Sequence, residues 1–190
     1  MYRQAGPDAL AGYRARRDEL FQTHPSSPIP EADRAAFRGL RYYPPDPGAR
    51  VTARLLPAGD EPPLVIATGG EDGDIVYRRA GVLHFELGGT ACRLTVFAMT
   101  TYGGGLFLPF RDATAGAETY GAGRYLFDTV KNTDGLCLEV VPGSDEVVID
   151  FNYAYNPSCA YDSRWACPLA PPENRLTIPV RAGEMDFHTG

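Results

Sequence analysis

From Arg50 onward, apolar side chains recur at every second position, and glycine or proline interrupts the pattern every few residues. Val51, Ala53 and Leu55 alternate with Arg50, Thr52 and Arg54. A period of two puts successive side chains on opposite faces, which marks a strand with one buried face. Leu83, Phe85 and Leu87 alternate with Val82, His84 and Glu86 in the same way. Gly88 and Gly89 follow as a hairpin turn, and Cys92, Leu94, Val96 and Ala98 share one face of the next strand. Shorter runs at 64–68, 75–79, 106–110, 124–127, 136–140, 147–151 and 176–180 read as further strands. About ten short strands at this spacing predict an antiparallel β-barrel or a strongly curved β-sandwich.

Before Arg50 the pattern differs. Pro7 suits the first turn of a helix, and Leu10, Tyr13, Leu20 and Phe21 fall roughly on one face. A helix is expected over 7–22, then a Pro-rich link at 24–30 and a short helix at 31–37. The chain of 190 residues is expected to form one domain, with 1–40 as a helical arm or lid and 50–190 as the β-rich body. The 21 glycines and 17 prolines, spread along the chain, favour turns over long helices.

Charge narrows the function classes. The net charge is −6, and no stripe of lysine and arginine resembles a nucleic-acid groove. Nucleic acid is therefore not expected as a partner. Residues 1–22 form no apolar leader and no apolar run approaches a bilayer span, so a cytoplasmic chain without a membrane partner is expected. The oligomeric state is left open. The four cysteines would mostly stay reduced in that compartment. Cys92 and Cys137 lie among apolar neighbours and read as structural.

Two segments break the alternation and concentrate polar groups. The first, 109–126, contains Arg111, Asp112, Glu118, Tyr120 and Arg124 among Gly116, Gly121 and Gly123. It lacks the Lys-Ser/Thr ending of a phosphate-binding loop. The bland alternative is a glycine-rich hairpin held by an Arg111–Asp112 pair. The second, 150–176, contains Asn152, Tyr153, Tyr155, Asn156, Tyr161 and Glu173. Here Asp150 and Asn152 would share the face opposite Phe151 on a strand. The bland alternative is a hydrogen-bonded connection that needs no ligand.

These two segments, together with Phe37-Arg38-Gly39-Leu40, Tyr43-Pro44-Pro45 and Ala182-Gly183-Glu184, resemble the family known as domain of unknown function 1684. The resemblance spans most of the chain, with a longer, less regular stretch at 127–147. It implies a compact, strand-rich domain and says nothing about substrate.

Chemistry must then be read from the residues. Asp112, Glu118 and Glu173 are the candidate acid/base carboxylates, because paired carboxylates in a barrel mouth can divide acid and base roles. Arg111, Tyr120, Arg124, Asn152, Tyr155 and Asn156 are the candidate ligand-binding groups, expected to converge with the carboxylates on one cavity. A small-molecule ligand or substrate is the expected partner. No cofactor and no metal are expected, since His24, His84 and His188 show no ligand spacing and no close cysteine pair occurs. Cys159 and Cys167 remain open between independent thiols, a disulfide and half of a thiolate metal site, and are expected to lie near each other. A Cys159–His84 nucleophile pair is a further candidate. The alternatives to an enzyme are a non-catalytic small-ligand binder and a purely structural domain.

Overall fold

The computed structural model describes residues 7–66, 74–100, 104–129 and 138–188. Helix α1 spans Pro7–Thr23 and a short α2 spans Glu31–Arg34. Strands follow as β1 (Arg50–Leu56), β2 (Leu64–Ile66), β3 (Ile75–Leu87), β4 (Thr90–Met99), β5 (Leu106–Phe110), β6 (Arg124–Asp128), β7 (Leu138–Val140) and β8 (Glu146–Asp150). The strands form one antiparallel sheet in the order β6-β5-β4-β3-β1-β8-β7, with β2 paired to β3. The result is an open, mostly β half-barrel with its longer helix at the N-terminus, as the change of period predicts.

Two expected strands are one. The runs at 75–79 and 82–87 merge into β3, with a register shift between Arg79 and Gly81. A Cβ on Gly81 would lie 2.7 Å from Leu55 Cδ1 and 3.1 Å from the Leu56 carbonyl. A side chain there would press on β1, and the bulge bends the long strand. At its end Gly88 and Gly89 take φ of 57° and 74°, the left-handed pair that a tight hairpin turn requires.

The expected strand at 176–180 is absent, and Phe151 starts a 3-10 turn, Phe151–Tyr153, where the sequence predicts extended chain. The reason is capping: Asp150 accepts from the Asn152 amide at 2.9 Å and draws the chain into a turn. Residues beyond this turn form an irregular strap across the sheet. Tyr155 pairs its backbone with Tyr125 of β6, and Arg111 bonds to 174–176 through its backbone. These bonds close strand edges that would otherwise expose unpaired groups.

The strap also supplies the core. Leu176, Val180 and Ala182 pack with Ala53, Leu83, Leu94, Leu108 and Ile149 of the sheet. Phe110 meets Phe151 edge to face, with ring centroids 5.2 Å apart. Each such buried side chain contributes roughly 1.5–3 kcal/mol. Helix α1 docks through Leu10 and Phe21, whereas Leu20, expected on the same face, is 44% exposed. The run is polar, so the helix is held as much by Arg14, Arg17 and Asp18 as by apolar packing.

Candidate functional site

Asp112 and Arg124 are the most deeply buried ion pair among the described residues, with 2.7 Å between Arg124 Nη2 and Asp112 Oδ2. Arg124 enters β6 directly after Gly123, whose φ is 101° and whose Cβ would clash with the Phe110 carbonyl at 2.6 Å. The close approach swings the guanidinium under the strap. There it also donates to the carbonyls of Val180, Ala182 and Glu184 at 2.6–3.0 Å. Asp112 accepts in turn from the Val180 amide and from the amide and hydroxyl of Thr114. The pairing also differs from the expected Arg111–Asp112 turn: Arg111 is exposed and, among the described residues, is bonded through its backbone.

A second buried network lies under α1. Glu184, 1% exposed, accepts from Arg17 Nη2 at 3.0 Å, from the Tyr161 hydroxyl, and from both the backbone and side-chain nitrogens of Asn156. Burial pushes the Glu184 carboxyl above its ordinary range, against the pull of Arg17 and its donors. The Arg17 guanidinium lies 5.0 Å from the Tyr155 ring centroid, a cation–π contact. Asn156 also donates to the Met185 carbonyl at 2.8 Å, while its Oδ1 is buried without a partner.

The remaining candidates are dispersed. Asn152 grips the backbone of Asp46, accepting from its amide and donating to its carbonyl, both at 2.8 Å. Glu118 lies nearer the surface, clamped by Arg181 at 2.7 and 2.8 Å and by the Tyr43 hydroxyl at 3.0 Å. Arg181 holds the Glu118 carboxyl below its ordinary range, and burial followed by Glu118 pushes Tyr43 up to about 12. Glu173 sits on another part of the sheet with Arg79 at 2.5 Å and Thr95 Oγ1 at 2.9 Å. Burial raises it, but the bonds from Arg79 and Thr95 outweigh that and leave it lowered.

The strap residues 180–186 thus link Asp112, Arg124, Asn156 and Glu118 into one hydrogen-bonded assembly, while Glu173 and Asn152 lie in separate contacts. Sequence reading overlooked Arg17, Tyr43, Tyr161 and Arg181 as partners. Glu184 was visible in the Ala182-Gly183-Glu184 motif, but its burial was not.

Cys159 and Cys167 are both partly buried thiols. The Cys159 amide donates to Cys167 Sγ at 3.4 Å, and the Tyr120 hydroxyl donates to Cys159 Sγ at 3.6 Å. His84 is exposed on β3, between Arg54 and Arg93 in the register, and is directed to water. Cys92 is partly buried against the main core, and Cys137 lies outside the described residues. Among the described residues, no three His, Cys, Asp or Glu side chains gather as metal ligands.

An open cleft of about 340 Å³ lies between the Pro-rich link and the strap, lined by Pro25, Ser26, Ser27, Arg164 and Trp165. Arg164 lies 5.6 Å from the indole centroid and pairs with Asp162 through Nε at 2.9 Å. The sequence offered no signal for this cleft, because its two sides are far apart along the chain.

Among the described residues, no helix is long and apolar enough to cross a membrane. A family model for a protein of unknown function (DUF1684) matches residues 35–185. The solution NMR structure of the uncharacterized protein from gene locus rrnAC0354 of Haloarcula marismortui is similar to the chain. The two are 36% identical with a TM-score of 0.67, over 96% of this chain and 95% of that one. No curated protein matches.

Proposed function

The chain belongs to the DUF1684 family, whose description assigns no reaction, and we propose that this member is a non-catalytic small-molecule-binding domain of the cytoplasm. One observation carries the reading: each candidate carboxylate is already paired with an arginine, Asp112 with Arg124, Glu118 with Arg181 and Glu173 with Arg79, which it shares with Glu61. An acid/base catalyst needs a pKa near the working pH. Glu118 and Glu173 are displaced the other way.

Binding is then assigned to the cleft at Trp165. Its volume of about 340 Å³ suits a small metabolite. An indole face offers stacking, and Arg164 keeps terminal guanidinium nitrogens that Asp162 does not engage. An aromatic carboxylate matches both groups, its ring stacking on the indole and its carboxylate pairing with the guanidinium.

Trp165 is the single tryptophan of the chain, so its fluorescence reports this cleft alone. Titration with benzoate and nicotinate is expected to change the emission saturably, with a Kd between about 10 μM and 1 mM. Arg164→Gln should weaken that response about tenfold, and Glu118→Gln should leave it unchanged. A linear, unsaturable response to both probes would remove the cleft as the binding site.

A further inference from the structure

We propose that Cys159 and Cys167 form a redox-active dithiol, in which Cys167 is the attacking sulfur and Cys159 the resolving one. The assignment rests on the direction of the hydrogen bonds. The Tyr120 hydroxyl donates to Cys159 Sγ at 3.6 Å, and the Cys159 amide donates to Cys167 Sγ at 3.4 Å. Each sulfur thus accepts one hydrogen bond, but the donor on Cys167 is a backbone amide fixed in place, and a sulfur that accepts hydrogen bonds holds negative charge more easily. Cys159 is held above its ordinary range, first by its bond to Cys167 and then by burial. Both residues are partly exposed, so a small oxidant can reach them.

The local fold permits the bond. Cys159 lies in the 3-10 turn Ser158–Ala160, and the chain turns back at 162–165, where the Trp165 amide donates to the Asp162 carbonyl at 3.2 Å. The turn brings Cys167 against the Cys159 backbone, and both cysteines lie outside the strands of the sheet.

The oxidant assigned is a low-molecular-weight disulfide, glutathione disulfide. The Cys167 thiolate attacks one of its sulfurs, the S–S bond breaks, and one glutathione leaves as thiolate. Cys159 then gives up its proton and attacks the Cys167 sulfur of the mixed disulfide, releasing the second glutathione. Two protein thiols are oxidised, and one glutathione disulfide is reduced to two glutathiones, which take up the two protons.

The experiment uses the full, reduced chain. After incubation with glutathione disulfide in excess over glutathione, remaining thiols are alkylated and the protein is cleaved after Arg164, which separates the two cysteines. Fragment ions of the crosslinked peptides should place the bond at Cys159–Cys167, with Cys92 and Cys137 alkylated. Cys159→Ser should trap glutathione on Cys167. Cys167→Ser should take up glutathione at Cys159 at least about tenfold more slowly. In the parent, limiting iodoacetamide should label Cys167 before Cys159, a reading that needs no variant. An absent Cys159–Cys167 bond overturns the dithiol. Equal rates in the two serine variants, or first labelling at Cys159, overturn the assignment of Cys167 as the attacking sulfur.

Discussion

At the scale of single residues, the polar groups that drew attention in the sequence differ in what their loss would cost. Asp112 and Arg124 are each 1% exposed in their side chains and pair with one another. Asp112→Asn keeps the shape but leaves the Arg124 charge buried without its counter-ion. Breaking such a pair costs about 3–5 kcal/mol, which urea denaturation would measure. Glu118→Gln removes a pair whose partner Arg181 is 59% exposed, and water replaces much of what is lost. Its expected cost stays within about 1 kcal/mol. If both variants lose equal stability, the Asp112–Arg124 pair is not the buried anchor inferred from its bonds. Asn152 and Asn174 show a related economy. Each bonds to both the N–H and the C=O of one backbone residue, Asp46 and Thr95 respectively. A side-chain amide thus serves as a short piece of strand, completing pairings that the sheet leaves open.

At the scale of elements, the strap decides how the half-barrel is closed, and Gly183 is its tightest point. Gly183 has φ 76°, and a Cβ there would lie 2.6 Å from the Ala154 carbonyl and 2.8 Å from the Phe151 carbonyl. Gly88 has φ 57° but open space around it. Gly88→Ala should therefore cost about 1 kcal/mol for the backbone conformation alone. Gly183→Ala should cost more than about 2 kcal/mol, because overpacking against backbone adds to the same strain. Thermal unfolding of the two variants side by side checks the difference, and equal shifts would mean that the strap yields easily. The sheet was legible because alternation reports burial on one face: β3 carries it plainly, whereas Leu55 of β1 is 39% exposed and residues 94–98 of β4 are buried on both faces. The strap was not, because its form depends on partners distant along the chain. The apolar run at 176–180 looks like a strand, yet its polar contacts go to Arg111, Asp112, Ala113 and Arg124 and leave no continuous ladder. The candidate site divides in the same way. Sequence picks out Asp112, Arg124, Glu118 and Asn156 by composition, but it cannot show that arginines already occupy the carboxylates.

At the scale of the whole molecule, the carboxylates set how stability depends on pH, and they oppose one another. Arg181 lowers Glu118, and Arg54 lowers Asp145. Glu173 is raised by burial but lowered further by Arg79 and Thr95, so its folded value lies below the ordinary 4.5. For these three the unfolded chain binds more protons near and below that range. Their stabilisation is present above the ordinary value and is lost as pH falls through the folded one. Glu184 has the reverse sign. Burial raises it above 4.5, so the folded state holds its proton more tightly. Its contribution is fully present below 4.5 and is lost as pH rises through the folded value. The two signs oppose one another, so the contribution of a single group is read by substituting it alone. Glu173→Gln isolates one of them, since glutamine keeps the shape beside Arg79 and Thr95 but does not titrate. The variant should be less stable than the parent at about pH 7, and the gap should narrow towards about pH 3, where the parent's Glu173 also becomes neutral. Urea midpoints at the two pH values measure the gap. A gap that stays constant across that range would mean that Glu173 contributes by shape and hydrogen bonding, and that its charge beside Arg79 adds nothing to the fold.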